Sequence, residues 1–488
     1  MSRFASLLFC FVLAASPSSP AGEEFYLPEN QKYTVVHSAL DSARFTLASC
    51  LEKRPSGHLA ARSTFVNAEA EPMEWHDFGV LEGPGWAANA VGGALELYQF
   101  AEMLKREEEW RPKALSILDH VLEDGFIDAA TGLIAPYRHT KRNDFVLNFK
   151  ANRDWLCPGS MAKIACQLLQ FADALPQGDA RIAKLRDAAR KNGVWMLQHV
   201  KPTENGWYPR RVTHKGETYK KTAEHKPGTP GGDDALWQGS ADGLYAVLLL
   251  VELTERGLGD YKDEIQPRCA AFVKAGGIFG SINHDTYDKN ENVAYAVAFR
   301  VLRRAAKLIG DDSLRTFAYE KCLAGLEQFK MRDDRNGVAT RGLLWMEKSW
   351  DTAYLWECAE AALAYFEAAA ENRRDRDKKF AWERDGLTIL RAIAKHHHGK
   401  KGFLTEGVDW NNHVGEQHHF DGAKFGDIQY TEPFLNNQHI IEPTVFYLRH
   451  LAIDDPSKRV LRYRDLEGNI ILRVRTEKGE AKEAAGEE

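Results

Sequence analysis

The sequence predicts an all-α fold, a toroid of six helical hairpins, and three observations support it. Segments with apolar residues at helical spacing and charges between them recur at about 33–54, 108–123, 180–200, 260–275, 312–330 and 377–398. Segments far richer in small and apolar residues alternate with them, at about 86–105, 157–175, 237–256, 291–309, 350–371 and 434–452. Gly- and aromatic-rich connections such as NGWYPRR and NGVATRG follow the polar-faced helices, and such self-similarity marks a closed or stacked repeat.

The two kinds of segment indicate two rings of helices. A helix that is apolar on nearly all sides, such as WDTAYLWECAEAALAYFEAAA, is buried on nearly all sides. The apolar segments therefore form an inner ring and the polar-faced segments an outer ring, which together make an (α/α)6 toroid. An open solenoid of helical pairs is the structural alternative. The irregular spacing of the segments, and long loops on one side of the hairpins, favour the toroid.

With this architecture the chain resembles the six-hairpin glycosidase superfamily over about residues 30–452, which implies a fold more than a reaction. The segment LWQGSADGLYAVLLLVEL is also similar to the Trp-x-Arg-Gly segment of unsaturated uronyl hydrolases. Here Gln238 replaces the arginine, and Gly243 stands where a tryptophan is usual. The likeness therefore implies a glycan substrate, without carboxylate recognition by that arginine.

The start of the chain indicates export. Arg3 precedes an apolar run from Phe4 to Ala15, and small residues follow at 19–21, as in a secretory signal peptide. The end of the chain predicts two strands around a Gly-Asn turn and then a charged, disordered segment. The expected divisions are the signal peptide 1–21, the toroid 22–455, the C-terminal β-hairpin 456–476 and the disordered tail 477–488. We expect a secreted or periplasmic protein.

The composition of the chain excludes some classes of binding partner. A net charge of −6 without a basic tract makes nucleic acid an unsuitable partner. No segment after the signal peptide is apolar for long enough to span a membrane. Six cysteines remain without a C-x-x-C pair, which favours buried thiols and leaves one or two disulfides open. We expect an oligo- or polysaccharide substrate and no cofactor or metal, and the oligomeric state stays open.

Acidic residues recur beside tryptophan in or near the connections that lead into the inner helices. In a toroid these helices start on one side, and helix N-termini favour acidic groups. Flat aromatic faces with carboxylates suit pyranose rings. Capping and packing explain any single pair, but a cap needs no tryptophan. The pairs, which predict a carbohydrate cleft, are Glu82 with Trp86, Asp154 with Trp155, Asp234 with Trp237, Asp351 with Trp350, and Asp409 with Trp410.

Glycoside hydrolysis is the first chemistry that fits such a cleft. It needs a protonated carboxyl and a second carboxylate about 5–10 Å away. Neighbouring helices lie about 8–10 Å apart, so adjacent inner helices can supply the pair. Asp154 and Asp234, at the second and third inner helices, are the predicted pair, and Asp351 is a further candidate. Asp233 adjoins Asp234, which leaves open which of the two points inward.

Proton abstraction from C5 of a uronic acid, by a lyase or an epimerase, is the rival chemistry. The run Asn411-Asn412-His413 is similar to Asn-His signatures of alginate-lyase-like toroids, although VGEQHHFDG follows it here instead of an inner helix. The resemblance implies His413 or Tyr430 as the base. It implies substrate contacts from Arg153, Asn412 and His439.

The polar run from Asp409 to Tyr430 leads into the sixth inner helix and is a predicted lid or wall of the cleft. A metal site is the alternative for this run, with His413, His418, His419 and Asp421 as ligands. No family spacing supports it, so sugar contacts are favoured.

The sequence thus predicts an exported glycoside hydrolase. A polysaccharide lyase or uronate epimerase, and a non-catalytic glycan-binding toroid, are the alternatives. The predicted catalytic residues are Asp154, Asp234, Asp351, His413 and Tyr430. The predicted substrate contacts are Trp86, Trp155, Trp237, Trp350, Trp410, Arg153, Asn412 and His439.

Overall fold

The computed structural model describes residues 35–73, 78–148, 155–219, 240–277, 279–280, 290–348, 352–398, 402–413, 418–452, 460–464 and 470–475. Twelve α-helices lie within these ranges. They are α1 Val35–Phe45, α2 Ala90–Leu104, α3 Glu107–Glu123, α4 Pro158–Ala174, α5 Arg181–His199, α6 Gly243–Glu255, α7 Lys262–Lys274, α8 Asn292–Ile309, α9 Asp312–Phe317, α10 Leu355–Glu371, α11 Arg376–Ile393 and α12 Ile441–His450. The predicted signal peptide and disordered tail lie outside the described residues.

Six of these helices form a closed inner ring. Helix α2 contacts α4, and the contacts continue through α6, α8 and α10 to α12, which returns to α2. The other helices pack outside, with α3 against α2, α5 against α4 and α11 against α10. This closure confirms the (α/α)6 toroid and excludes the open solenoid.

The inner and outer helices differ in how much of their surface is buried, as the sequence predicts. In α6, ten of the thirteen residues are buried, so the helix faces protein on nearly every side. In α5, burial is confined to one face that includes Leu185, Ala189, Asn192 and Met196, at helical spacing. Each large apolar side chain buried in this way contributes about 1.5–3 kcal/mol. The inner and outer rings are therefore held together mainly by apolar packing.

The sixth inner helix begins later than the sequence predicts. The prediction starts at 434, whereas α12 starts at Ile441 and turns occupy 433–440. Asn436 and Asn437 are the reason, because their side chains bond to the backbone of other segments. The Asn436 Oδ1 accepts from the Trp356 amide at 2.9 Å, and the Asn437 Oδ1 accepts from the Leu404 amide at 2.9 Å. Such side chain–backbone bonds compete with helix formation.

The first outer helix is shorter than predicted. Helix α1 passes into a π-helical turn, Thr46–Cys50, and the chain then enters a strand. Helix α9 is also followed by a π-helical turn, Ala318–Leu323, within the outer segment predicted at 312–330. These are differences of element boundaries, and the alternation of outer and inner segments is unaffected.

Short strands edge the toroid, and all sheets have two or three strands within the described residues. The strands are β1 Leu51–Lys53, β2 Leu59–Ala61, β3 Val66–Asn67, β4 Leu81–Glu82, β5 Tyr137–His139, β6 Asp144–Val146, β7 Ala353–Tyr354, β8 His397–His398, β9 Phe403–Leu404, β10 Gly407–Asp409, β11 Gly426–Asp427, β12 Tyr430–Thr431, β13 Val460–Arg464 and β14 Ile470–Arg475. Strands β13 and β14 pair antiparallel, which confirms the predicted C-terminal hairpin.

Two inner helices approach each other closely at Gly159, in the first turn of α4. A Cβ atom at this position would lie 1.8 Å from the carbonyl oxygen of Asp242, the residue before α6. The Gly159 amide donates to Asp242 Oδ2 at 2.8 Å. The glycine therefore sets how near α4 and α6 lie at this end of the ring.

The six cysteines after residue 21 are all buried thiols. This agrees with the interpretation of the cysteines as small apolar core residues. In the described part of the chain, no helix combines the length and apolar character that crossing a membrane requires.

Candidate active site

Six of the predicted site residues lie outside the described residues, and their roles stay predictions. They are Arg153, Asp154, Asp234, Trp237, Trp350 and Asp351. The predicted hydrolase pair is therefore neither supported nor opposed by the geometry below.

Three predicted tryptophans are described, and two of them are packed in the core. Trp155 is 1% exposed and Trp410 is 2% exposed, so neither presents an open stacking face in this structure. The guanidinium of Arg211 lies 4.1 Å from the Trp155 ring centroid. Trp86 is half-buried and lies 6.4 Å from the ring of Trp356, between centroids. Trp86 is thus the described tryptophan of the set that is best placed to contact a ligand.

Two acidic residues of the acid–tryptophan pairs, Glu82 and Asp409, accept hydrogen bonds from other groups of the protein. Glu82 is buried and accepts hydrogen bonds from Arg54 at 2.6 Å and Arg138 at 2.7 Å. Asp409 accepts from the backbone amides of Asn411 and Asn412, both at 3.1 Å, as an acidic cap of a turn does. These contacts match the capping and packing alternative for the two pairs.

The predicted lid residues are spread over the run from Asp409 to Tyr430. His413 is exposed, and its amide donates to Asn411 Oδ1 at 2.8 Å. Asn412 has a left-handed backbone with φ of 52° and donates from Nδ2 to the carbonyl of Lys424. Tyr430 is 4% exposed in β12, 5.7 Å from the ring of Phe65, and burial raises its pKa well above the usual value. Tyr430 is therefore a core residue in this structure rather than an exposed base.

A cavity of about 270 Å³ lies inside the ring, and every inner helix contributes a side chain to it. Ionisable side chains from all six inner helices line the cavity. They include Glu96 from α2, Lys163 from α4, Tyr245 from α6, Arg300 from α8, Glu360 from α10 and Glu442 from α12. His439, just before α12, lines the same cavity.

His439 connects two of the carboxylates. Its Nδ1 lies 3.0 Å from Glu96 Oε1, and its Nε2 lies 3.2 Å from Glu360 Oε1. Burial alone disfavours the charged ring, but the hydrogen bonds with Glu360 and Glu96 outweigh it and raise the pKa of His439 to about 10. The imidazole is consequently a cation near neutral pH, which donates from both nitrogens.

Glu360 and Glu442 share their cationic partners. Arg300 hydrogen bonds to Glu360, and its guanidinium lies 3.6 Å from Glu442 Oε1. The Nε2 of His439 lies 3.6 Å from Glu442 Oε2. Burial alone would raise the pKa of Glu360, but Arg300 and His439 hold this pKa well below its usual range. Burial, together with the charge of Glu360, raises the pKa of Glu442. The two carboxyls are thus shifted in opposite directions.

Glu96 is the third carboxyl of the cavity. Burial raises its pKa to about 7, although the hydrogen bond with His439 opposes this shift. A carboxyl with such a pKa exchanges protons readily near neutral pH, which is the property that general acid–base catalysis requires.

Lys163 and Tyr245 present polar atoms to the cavity. The ammonium of Lys163 lies 5.7 Å from the Tyr245 ring and 5.5 Å from the Trp356 ring, and it forms no ion pair within the described residues. Burial lowers the pKa of Lys163. Tyr245 is 8% exposed, and its buried hydroxyl has no hydrogen-bond partner in the described part of the chain. Both groups are therefore available to a ligand.

One set of cavity residues has the spacing for a metal ion. Glu96, His439 and Glu442 each place a ligand atom within 4.8 Å of the other two. The charges of the cavity argue against a cation there. His439 uses both ring nitrogens as donors, and Arg300 with Lys163 supplies further positive charge opposite Glu96, Glu360 and Glu442. The arrangement is best described as a neutralised ion-pair network. Within the described residues, the polar run from Asp409 to Tyr430 forms no such group.

Among the predicted site residues that the structure describes, only His439 lines this cavity. Glu96, Glu360, Glu442 and Arg300 are absent from the sequence-based candidates, because those candidates came from helix starts and their preceding loops. A signal was present, since GGALELYQF carries one glutamate and WECAEAALAY carries two inside otherwise mostly apolar segments. An ionised group in a buried helix is costly unless it is paired, and it often marks a functional site.

The fold and the cavity together define the class of the molecule, an (α/α)6 toroid with a charged lumen. No protein-family model matches the chain, and no curated protein is detectably similar to it in sequence. Several solved structures are similar in fold. A cellobiose 2-epimerase from Bacillus thermoamylovorans B4167 has a TM-score of 0.57 at 12% identity, over 85% of this chain and 99% of that chain.

Two further structures represent other activities. A GH76 α-mannanase from Bacteroides thetaiotaomicron has a TM-score of 0.52 at 12% identity, over 84% of this chain and 96% of that chain. A D-mannose isomerase has a TM-score of 0.51 at 11% identity, over 84% and 96%. At these identities the likeness establishes the fold. It confirms the six-hairpin architecture that the sequence predicted.

Proposed function

We propose that the chain is a carbohydrate-active enzyme, and more specifically a glycoside hydrolase that uses Glu442 and Glu360 in the lumen of the toroid. One observation carries this proposal. Two carboxyls that contact the same imidazole and the same guanidinium have pKa values shifted in opposite directions. Environments that separate two carboxyls in this way are those that assign an acid and an ionised partner.

The distance between the two carboxyls suits this chemistry. Each has an oxygen within 3.6 Å of His439 Nε2, so these oxygens are at most about 7 Å apart, a bound that is compatible with the lower part of the range from about 5 to 9.5 Å that glycosidases use. Glu442 is 33% exposed on its side chain and can reach a leaving-group oxygen, whereas Glu360 is 3% exposed and stays ionised. In this proposal Glu442 protonates the leaving group and Glu360 supports water or the developing positive charge.

The shape and lining of the cavity support a small saccharide. About 270 Å³ is near the lower limit of pockets for drug-sized ligands, roughly 300 Å³. Tyr245 lines the lumen with an aromatic ring, and its hydroxyl lacks a partner in the described residues. An apolar ring face with nearby hydroxyl partners is what a pyranose requires. The names of the structures similar in fold, an epimerase, a mannanase and an isomerase, are all those of sugar-processing enzymes.

The experiment is a reducing-end assay on a panel of neutral and acidic oligosaccharides, with the wild-type chain and Glu442→Gln. We expect the variant to lose at least about 100-fold in kcat because it has no proton to give. Glu371→Gln is the matched control. Glu371 lies at the end of α10, binds Arg303 and Tyr319, and does not line the cavity.

Near-full activity of Glu442→Gln would reject the lumen pair. Asp154→Asn and Asp234→Asn would then be tested in the same assay, because they remain the pair predicted from sequence. Tight binding of an oligosaccharide without any turnover would support the glycan-binding alternative.

Proton transfer at a sugar carbon is a second candidate, and Glu96 favours it. A base with a pKa of about 7 is suited to abstract and return a proton in an epimerase or isomerase, or to abstract it in a lyase. Incubation of candidate sugars in D₂O distinguishes these reactions from hydrolysis. An epimerase or isomerase that exchanges its proton with solvent introduces deuterium at carbon. A lyase produces an absorbing C4–C5 double bond, and a hydrolase does neither.

We also propose that the protein is exported, on the basis of the sequence of residues 1–21. Fractionation of cells that express the full chain, with N-terminal sequencing of the product, tests this.

A further inference from the structure

A groove follows one flank of the outer helix α11, on the outside of the toroid. Its other wall is mainly the segment 312–342, which contains α9 and the π-helical turn after it. Two adjoining depressions of about 820 Å³ and about 510 Å³ form the groove, and both are lined by Glu327, Lys330 and Asp385. None of the described residues that line the groove also lines the lumen cavity. The groove is therefore a separate feature of the surface.

The larger depression, beside the first half of α11, contains an aromatic surface. Tyr319 and Trp382 are both half-buried, and their ring centroids lie 5.6 Å apart. The Tyr319 hydroxyl donates to Glu371 at 3.0 Å and accepts from Asn372 at 2.9 Å, which holds the ring in place. Carboxyl and amide groups surround the rings, from Asp312, Glu320, Asp385 and Asn372. Fixed apolar ring faces beside hydrogen-bonding groups suit sugar rings, and a rigid site loses little entropy on binding.

The smaller depression, beside the second half of α11, is strongly basic. Among its described lining residues, six are basic and two are acidic, in a chain that is acidic overall. The basic residues are Lys330, Arg332, Arg341, Arg384, Arg391 and Lys395. A cleft lined by charges of one sign concentrates ions of the opposite sign. This half of the groove therefore favours an anionic ligand.

The two acidic residues do not neutralise the basic half. Lys330 Nζ lies 2.8 Å from Glu327 Oε2 and 2.9 Å from Asp385 Oδ2, so both carboxylates are already paired where the depressions meet. Arg341 and Arg384 are exposed, and neither guanidinium forms an ion pair within the described residues. Both are available to a ligand, and a guanidinium matches the geometry of a carboxylate.

We propose that this groove binds a polysaccharide chain of neutral and acidic sugars, as a second site apart from the lumen. Neutral sugar rings would lie on Tyr319 and Trp382, and the anionic groups of neighbouring sugars would lie at Arg341 and Arg384. From Trp382 to Lys395 the helix rises about 20 Å, which is long enough for more than one sugar unit. The inference goes beyond the proposed hydrolysis and does not depend on it.

Single-stranded nucleic acid is the alternative ligand, because it also combines aromatic rings with anionic groups. It has a phosphate at every nucleotide, and the carboxyl groups around Tyr319 and Trp382 would repel such a uniformly charged backbone. A chain that alternates neutral and acidic sugars avoids this repulsion, so the polysaccharide is favoured.

The test measures binding of labelled oligosaccharides of equal length to the purified full chain, by fluorescence anisotropy. Hyaluronan supplies alternating neutral and carboxylated sugars, chondroitin sulfate adds sulfate groups, and a neutral chito-oligosaccharide is the reference. We expect both acidic probes to bind at least about fivefold more tightly than the neutral one, with an affinity that falls as salt is added. Tighter binding of chondroitin sulfate would assign a role to sulfate, and equal binding would show that carboxylates suffice.

Two variants assign the binding to the groove. The double variant Arg341→Gln/Arg384→Gln should weaken binding of the acidic probes at least about fivefold, and it changes only exposed side chains. Trp382→Ala should also weaken it at least about fivefold, because a tryptophan in a binding site contributes strongly. Phe380→Ala is the control for the aromatic change, since Phe380 is 61% exposed on α11 and does not line the groove.

The control for charge is Arg106→Gln/Arg190→Gln, which changes two exposed arginines at α3 and α5. The proposal is overturned if the acidic probes bind no more tightly than the neutral one, or if the groove arginine variant loses no more affinity than this control. It is also overturned if a single-stranded oligonucleotide binds more tightly than both acidic probes. Binding that survives in the groove variants and disappears in Glu442→Gln would place the saccharide in the lumen instead.

Discussion

His439 Nδ1 lies 3.0 Å from Glu96 Oε1, although the two residues are 343 positions apart in the chain. The contact joins the segment before the last inner helix to the middle of the first, so it closes the ring with a charged hydrogen bond. It also sets the protonation of both groups, because the imidazolium stabilises the carboxylate and the carboxylate stabilises the imidazolium. The chemistry of the lumen is therefore coupled to the closure of the toroid.

Stability should fall as the pH rises above 7, and His439 is the reason. Its folded-state pKa of about 10 is above its unfolded value of about 6.5, so its contribution is fully present below pH 6.5 and is lost as the pH rises to about 10. Urea unfolding between pH 6.5 and 10 should show a loss of at least about 1 kcal/mol in the wild type. His439→Gln should be less stable than the wild type at pH 6.5, and its free energy of unfolding should change less with pH over this range. An equal slope in both proteins would contradict the assignment.

The protonation of Glu96 also makes the stability of the fold decrease with rising pH, but over a lower pH range than that of His439. Its folded-state pKa of about 7 exceeds the usual 4.5, so the folded state holds this proton more tightly than the unfolded state does. The contribution is present below pH 4.5 and is lost as the pH rises to 7. The stability of Glu96→Gln relative to that of the wild type should therefore be greater at pH 7 than at pH 4.5. The measurement is the difference in free energy of unfolding between the two proteins at these two pH values.

Arg300 should be the most costly lumen residue to remove. It pairs with Glu360, Glu367 and Glu442, whose side chains are 3%, 14% and 33% exposed. Arg300→Met removes one cation from each of these carboxylates, so Glu360 and Glu442 keep only His439 and Glu367 keeps Arg303. We expect a loss of about 3–5 kcal/mol in the free energy of unfolding by urea titration. Arg332→Met is the control, because the Arg332 side chain is 73% exposed and its ion pair contributes about 0–1 kcal/mol. Similar losses in the two variants would contradict this account.

The sequence was sufficient for the architecture because burial in a toroid is repetitive. Helices such as α6 and α5 differ so strongly in composition that their inner and outer places follow from the pattern of apolar residues. Boundaries were less predictable where side chains bond to distant backbone, as Asn436 and Asn437 do before α12. No local pattern in the sequence specifies partners 33 to 80 residues away.

The site was less predictable than the fold. His439 was selected from sequence, but for a contact in a uronate lyase, and its partners Glu96 and Glu360 were not selected at all. Their meeting depends on the closure of the ring and on which turn of each helix faces the lumen. Trp155 was selected from sequence but is not in the cavity. Its neighbouring aspartate suggested a stacking face for a sugar, whereas its ring is packed against Arg211.

Gly159→Ala should loosen the ring at one point. The new Cβ would meet the Asp242 carbonyl oxygen at 1.8 Å, and a backbone atom cannot move aside as a flexible side chain can. We expect a loss of about 1–3 kcal/mol in the free energy of unfolding. Gly193→Ala, inside α5, is the matched control, because its nearest neighbour is a terminal methyl group of Leu253 that can move and alanine favours the helix. Equal effects of the two substitutions would show that the close approach of α4 and α6 does not constrain the fold.

Tyr245→Phe should separate binding from stability. The Tyr245 hydroxyl is buried and has no hydrogen-bond partner within the described residues, so its removal should leave the Tm unchanged or slightly raised. If a sugar hydroxyl is its partner, the same variant should raise KM or the Kd of the ligand by roughly 2- to 12-fold, since one hydrogen bond is worth about 0.5–1.5 kcal/mol. Tyr295→Phe is the control, because that hydroxyl donates to Asn290 Oδ1 at 2.7 Å and lies outside the cavity. Its loss should lower the Tm and leave ligand binding unchanged. A Tyr245→Phe protein with a lower Tm and unchanged binding would mean that the hydroxyl serves the fold, not the ligand.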